Sequence, residues 1–299
     1  MPVWALYTVT VLVWGVSWHA IHYQVGVVAP ALSIAYRFLL AAAIMVVFCL
    51  ATRRKLRCGG RDLALMTALG LSLFCVNYIL FYYAALHLAT GLLAVVFSLI
   101  TVMNMINAAI LFGQKIEPRV AVGALLGLGG LALTFWPDIA GQELNHEVAI
   151  GLVLSLLGTL SASLGNMASV RLGQRGIGVI QSNTIGMCIG ALGSFLFALV
   201  SGAELIYDPR PSYSVSLLFL SLFATVIGFG CFLTLVRRIG AGRAAYSSVL
   251  FPILALALSA AFEDYRPPVE AILGVALVLV GNVFALWRRP AAVAPKMAE

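Results

Sequence analysis

Apolar positions in this chain come in long blocks, with polar and charged residues gathered between them. Ten such blocks, 3–22, 31–52, 63–86, 90–112, 119–136, 148–170, 178–201, 214–236, 243–261 and 269–287, are bracketed by Gly, Pro and charged residues. A helix that crosses a bilayer needs about 20 apolar residues. The pattern therefore predicts an all-α integral membrane protein with ten transmembrane helices. The segments between are short loops, and none is long enough for a soluble domain. The first block lacks a basic leader and carries Trp18 and His22 where small residues would precede a cleavage site, so it is expected to be a retained helix.

Composition sharpens this picture. Hydrophobic residues make up 62% of the chain and charged residues 10%, and the mean hydropathy is +1.05. A soluble domain is typically about half apolar and a quarter charged, so a water-soluble enzyme is excluded. The net charge of +7 does not form a stripe that could follow a phosphate backbone, and nucleic acid is not expected as a partner. Fifteen Lys and Arg fall on one side of the predicted helices: Arg53, Arg54, Lys55, Arg57, Arg61, Lys115, Arg119, Arg171, Arg175, Arg237, Arg238, Arg243, Arg288, Arg289 and Lys296. Only Arg210 and Arg266 fall on the other. The positive-inside rule then places both termini in the cytoplasm, in a multi-pass protein of the plasma (inner) membrane. The five cysteines form no C-x-x-C pair, so neither a disulfide framework nor a zinc site is implied, and no cofactor is expected.

An internal repeat bears on the architecture. Phe81 lines up with Phe232, and Gly91-Leu92-Leu93-Ala94 with Gly242-Arg243-Ala244-Ala245, both 151 residues apart. Phe112 and Pro118 match Phe262 and Pro268 at 150, and Gly123 and Gly130 match Gly274 and Gly281 at 151. Each copy would hold five helices, an odd number, so the second copy must enter the membrane from the opposite side. The expected division is 1–137 and 138–287 as inverted five-helix repeats, with 288–299 as a cytoplasmic tail.

Helix 1 carries Trp14-Gly15, helix 2 reads Tyr36-Arg37-Phe38 after Pro30, and helix 4 ends Phe112-Gly113-Gln114-Lys115 before Gly123 and Gly130. In these motifs and their order the chain resembles the EamA family of the drug/metabolite transporter superfamily, over residues 3–287. The resemblance implies ten helices and transport of amino acids, metabolites, sugars or drugs, mostly outward. Two departures stand out. Gln114 replaces the family's acidic residue, and Glu263-Asp264 stands where glycine and acid are expected.

Every Asp and Glu falls in a loop or at a helix end. Proton pumps and exporters of cationic drugs often keep an intramembrane carboxylate, so a neutral or zwitterionic cargo fits this chain better. Arg37 is the basic residue inside a span: it could meet a substrate carboxylate, or snorkel to the outer interface and bind carbonyls. Trp14, Trp18 and His22 form one stripe of helix 1, which could line a cavity, pack on other helices or anchor at the interface. His19 and His22 have no further ligand to converge on a metal with them. Asn77, Tyr78 and Tyr82 form a polar aromatic patch on helix 3. Ser98, Thr101, Asn104 and Asn107 on helix 4, Thr159, Ser163 and Asn166 on helix 6, Gln181 and Asn183 on helix 7, and Tyr246, Ser247 and Ser248 on helix 9 are either glue between helices or a shared polar interior. Pro252 can kink helix 9.

The expected substrate site is Trp18, Asn77, Tyr78, Tyr82, Asn104 and Ser247 between the repeats, with His22 and Arg37 towards the outer mouth. The expected function is export of small neutral or zwitterionic metabolites, amino acids including aromatic ones, by alternating access. The aromatic lining and missing acids resemble the aromatic amino-acid exporter (YddG) branch. Alternatives are a multidrug exporter or a membrane-embedded enzyme acting on lipid-linked substrates. No catalytic constellation supports an enzyme; His146-Glu147 lacks a third member. The expected partners are a small-molecule substrate and the lipid bilayer, with the chain acting as a monomer.

Overall fold

The computed structural model describes residues 1–54, 56, 58–113, 115–116, 118–137, 146–239 and 247–286. Among them are ten helices and no strand. They are α1 (Val3–His22), α2 (Pro30–Ala51), α3 (Gly60–Ala84), α4 (Thr90–Phe112) and α5 (Pro118–Thr134). After residues 138–145 come α6 (His146–Gln174), α7 (Val179–Val200), α8 (Pro211–Leu218, Phe219–Ile227 and Gly228–Ile239 in succession), α9 (Ser247–Phe262) and α10 (Val269–Leu286). Seven of them, α1 to α4 and α6 to α8, are long and apolar enough to cross a membrane; α5, α9 and α10 are apolar but shorter. Each expected span coincides with one helix to within about a turn. Gln114, Lys55, Arg57, Gly242–Ala245, Tyr246 and the tail lie outside the described residues.

Lipid offers the backbone no hydrogen bonds, so an apolar run must satisfy its amides internally, as a helix does. Proline marks several starts, at Pro30, Pro118 and Pro211, where its missing N–H costs nothing. Gly113 ends α4 in the left-handed region at φ 67°, while Asp264 takes the same conformation after α9 at φ 53°. The departure noted at Glu263-Asp264 therefore keeps the left-handed turn without a glycine.

Two helices are locally wide. In α3 the Asn77 N–H bonds to Ser72 O, five residues back, and in α8 the Gly228 N–H bonds to Phe223 O. The donors of the two bonds are 151 residues apart, and so are the acceptors, which is the offset of the sequence repeat. Such π-helical stretches are rare and cluster at functional sites.

Helix pairing follows one rule. α5 packs on α10, α2 on α7 and α4 on α9; α1 packs on α8 and α9, as α6 packs on α3 and α4. Exchanging α1 to α5 for α6 to α10 leaves this set unchanged. At the α5–α10 seam Gly123 meets the backbone of Gly281, and Gly130 that of Gly274. The two helices are thus antiparallel, and each glycine faces the repeat-mate of the other glycine on its own helix, as in a two-fold interface.

Candidate functional site

Arg37 lies two turns into α2 and is 2% exposed. Its Nε and Nη2 both donate to Thr225 Oγ1 at 3.3 Å, and its Nη1 donates to Tyr82 Oη at 3.4 Å. The guanidinium carbon lies 4.6 Å from the centre of the Tyr78 ring and 5.5 Å from that of Phe38. From α8, Ser221 Oγ donates to the Arg37 carbonyl at 3.1 Å. Thr225 belongs to the wide stretch of α8, and its hydroxyl donates to Leu220 O, five residues back. The bond fixes the hydroxyl so that its oxygen faces Arg37.

Of the two readings open for Arg37, the structure removes snorkelling, because the side chain is buried against α3 and α8. A charged residue at mid-span costs about 2.5–3.5 kcal/mol on insertion scales. A cation over an aromatic face returns about 0.5–2 kcal/mol. No carboxylate among the described residues forms an ion pair with it. The site thus holds a buried positive charge with neutral partners.

Arg37 lies with Tyr78 and Tyr82, and not beside His22 towards an outer mouth as expected; Tyr82 is fully buried. The Tyr78 ring is half-buried, and its hydroxyl makes no hydrogen bond to a described residue. Asn77, next to them, donates from its amide to Leu73 O, while its buried Oδ1 has no partner.

Aromatic rings link this group to α1. Phe38 meets Phe74 at 5.4 Å, Phe74 meets Phe229 at 5.9 Å, and Phe229 meets Trp14 at 5.5 Å. Trp14 also donates its indole N–H to Ala224 O. One turn on, Trp18 is buried among Phe81, Phe97 and Phe251, at 5.2, 5.5 and 6.4 Å. Trp14 and Trp18 of the helix 1 stripe thus pack against other helices.

The inner polar residues form a separate layer. Thr101 and Ser248 are hydrogen-bonded at 2.9 Å, Asn166 donates to Asn104 Oδ1 at 3.3 Å, and Asn107 donates to Ser163 Oγ at 2.8 Å. Ser247, fully buried, opens α9 beside this layer. At 1.5 Å rise per residue, Asn104 lies about 10 Å along α4 from Phe97. His22 is apart from all of these: it is exposed and lines a cleft of about 350 Å³ with Tyr23, Val25, Arg210 and Ser212.

Sequence reasoning missed Thr225 and Ser221, since no residue of helix 8 was singled out. It also missed that Glu263 is buried. This carboxylate accepts from the Thr90 N–H at 2.9 Å, the Thr90 hydroxyl at 2.5 Å and Ser259 Oγ at 2.8 Å, and it pairs with His19 Nδ1 at 2.9 Å. It ties α1, α4 and α9 together at one end. Burial would push its carboxyl up, but the hydrogen bonds from Thr90, His19 and Ser259 outweigh that and hold it below the usual glutamate range.

The sequence profile of the EamA-like transporter family matches this chain twice, over residues 3–136 and 149–287. The chain belongs to that family. Among curated relatives, a "Probable amino-acid metabolite efflux pump" of Escherichia coli is 25% identical, covering 93% of this chain and 94% of that protein. A protein of the same name from Salmonella typhimurium is 25% identical, covering 92% of each chain. PagO of Salmonella typhimurium is 21% identical, covering 95% of this chain and 92% of PagO. A crystal structure of another protein has the same fold, with a TM-score of 0.68 at 20% identity, covering 94% of this chain and 95% of that one. This EamA-like chain is thus a multi-pass membrane protein of a transporter family, and its Arg37 group and polar layers stand on helices matched in both halves.

Proposed function

We propose that this EamA-like protein exports small metabolites of amino-acid type, aromatic ones included, across the inner membrane by alternating access. The observation that carries this reading is the Arg37 group. A buried cation stacked on Tyr78 pairs with no described acid, beside a wall of aromatic rings, on helices of both halves. An amino-acid-sized molecule needs a polar partner for its head and an apolar wall for its side chain, and the group offers both. The halves 1–137 and 138–287 are proposed as inverted repeats. The antiparallel glycine seam, the two wide stretches 151 residues apart and the double family match support this. Inverted repeats rock about a site at their interface. The names of the relatives favour the outward direction, and the aromatic amino-acid exporter branch is the proposed affiliation. Both termini are proposed to be cytoplasmic.

The test is counterflow of amino acids and their derivatives in proteoliposomes. Tyr78→Phe, Tyr82→Phe and Asn104→Ala each remove one polar partner, which should weaken binding by about 1–3 kcal/mol. All three should slow transport at unchanged expression, while Cys188→Ala, on the exposed face of α7, should not. If the three variants transport like the parent, the cavity lies elsewhere and these residues only join helices.

A further inference from the structure

The charges around the proposed site are one-sided. A guanidinium has five N–H groups, and Arg37 uses three of them, all in bonds of 3.3–3.4 Å to uncharged hydroxyls. Charge-assisted bonds to carboxylates run at about 2.7–2.9 Å, so the present partners are the weaker kind, and two N–H groups remain. The neighbouring Tyr78 hydroxyl is also unused. Among the described residues no fixed negative charge offsets this. Of the described carboxylates, the two that are buried are already held: Glu263 by His19, Thr90 and Ser259, and Asp208 by Arg210. Polar groups of the inner layer, Thr101, Asn104, Asn166 and Ser248, are neutral.

A carboxylate entering this site gains a charged, forked partner. An α-ammonium carried about one residue-length away gains only neutral acceptors and is repelled by the guanidinium, in surroundings that screen charge poorly. Resting on the proposed export reading, we infer that the site recognises the carboxylate and not the amine. Its preferred cargo is a small monocarboxylate with an aromatic or branched apolar tail and no free α-amino group, such as a 2-oxo acid or an N-acylated amino acid. Arg37 selects it. Thr225 is the positioning residue, because its hydroxyl, pinned to Leu220 O, sets the plane of the guanidinium from α8. The expected zwitterion is thereby demoted from preferred cargo to a weaker one.

Three compounds with one ring separate the charges: phenylpyruvate, phenylalanine and phenethylamine. They are compared with the full chain in proteoliposomes, each as counterflow substrate and as competitor. In the parent, phenylpyruvate should compete about tenfold better than phenylalanine, with phenethylamine weakest. Arg37→Gln should abolish this ranking, Arg37→Lys should keep part of it, and Thr225→Val should compress it without changing the phenethylamine value. A flat or reversed ranking in the parent overturns the inference, and this needs no variant to fold. Equal losses for all three compounds in Arg37→Gln and Arg37→Lys also overturn it, since Arg37 would then be a tie between helices. In either case the export reading stands if amino acids still move. Counterflow of no amino acid or derivative by folded parent protein overturns that reading, and this inference with it.

Discussion

The α5–α10 seam gives a stability prediction whose size can be worked from geometry. A Cβ placed on Gly130 would lie 2.6 Å from Gly274 O and 2.7 Å from Val278 N. On Gly274 it would lie 2.5 Å from Thr134 N and closer still to Gly130 O and Thr134 Oγ1; on Gly123 it would lie 2.6 Å from Gly281 O. The obstructing atoms are mostly backbone, which cannot rotate away, so α5 and α10 must separate. Bringing a 2.6 Å contact to an ordinary one requires about 0.8 Å, and a gap of about 0.5–1 Å forfeits a quarter to a half of each dispersion contact along the seam. Overpacking of this kind costs about 1–3 kcal/mol.

Gly123→Ala, Gly130→Ala, Gly274→Ala and Gly281→Ala should therefore each lower the temperature at which half the detergent-solubilised protein loses its monodisperse peak. Gly129→Ala, whose Cβ would meet only Leu277 Cδ2 at 3.9 Å, and Gly173→Ala, with open space, should not. Combining Gly130→Ala with Gly274→Ala should cost less than the sum, because one opening of the seam relieves both clashes. Seam variants that melt with the Gly129→Ala control would refute the close approach, and with it the strongest geometric support for two inverted halves.

Two further outcomes are expected. In a cysteine-free background, cysteines at the exposed positions Glu204 and Asp264 should react with an impermeant thiol reagent outside intact cells and one at Arg175 should not; the opposite result would invert the proposed topology. The Glu263 carboxyl is held below its usual value, so its stabilising contribution is complete above the ordinary glutamate value of about 4.3 and fades as pH falls through the lower, folded one. Glu263→Gln should accordingly reduce the melting temperature at neutral pH and flatten its decline in acid; a variant with the parent's pH profile would show that the carboxylate stabilises nothing.

The spans were legible because lipid leaves an apolar run little choice but a helix, and Pro30, Pro118 and Pro211 punctuate the starts. The wide stretches were not, since Ser72–Val76 and Phe219–Ile227 are as apolar as their neighbours and the widening arises from packing. Arg37 stood out as a cation in an apolar run, yet its partner did not. Thr225 looks like one of many small hydroxyls, and only the fold brings it across 188 residues. Ser216, Ser221 and Thr225, spaced by five and four, were the available signal for a polar face on helix 8. Glu263 misled differently. One residue past an apolar run it reads as a loop carboxylate, but the turn at Asp264 directs it onto the amide of Thr90, an N-terminal helix position that favours negative charge.

The halves share a scaffold but not a chemistry, and the difference bears on direction. In α7 the stretch corresponding to Arg37 is Gly186-Met187-Cys188, so the fixed cation belongs to the first half alone. Likewise α4 ends in Phe112-Gly113-Gln114 with no carboxylate, whereas the second half supplies Glu263. Under the proposed topology this leaves an ionic cluster of His19, Thr90, Ser259 and Glu263 across the outer ends of α1, α4 and α9. Opening outward must part bonds to a buried charge, each worth about 1.5–3 kcal/mol; at the inner ends the described ion pair, Arg175 with Asp62, is partly exposed and so worth less. With every 1.4 kcal/mol a factor of ten in population, an inverted scaffold that would otherwise be indifferent is biased towards the state that admits cargo from the cytoplasm, which is the bias an exporter requires.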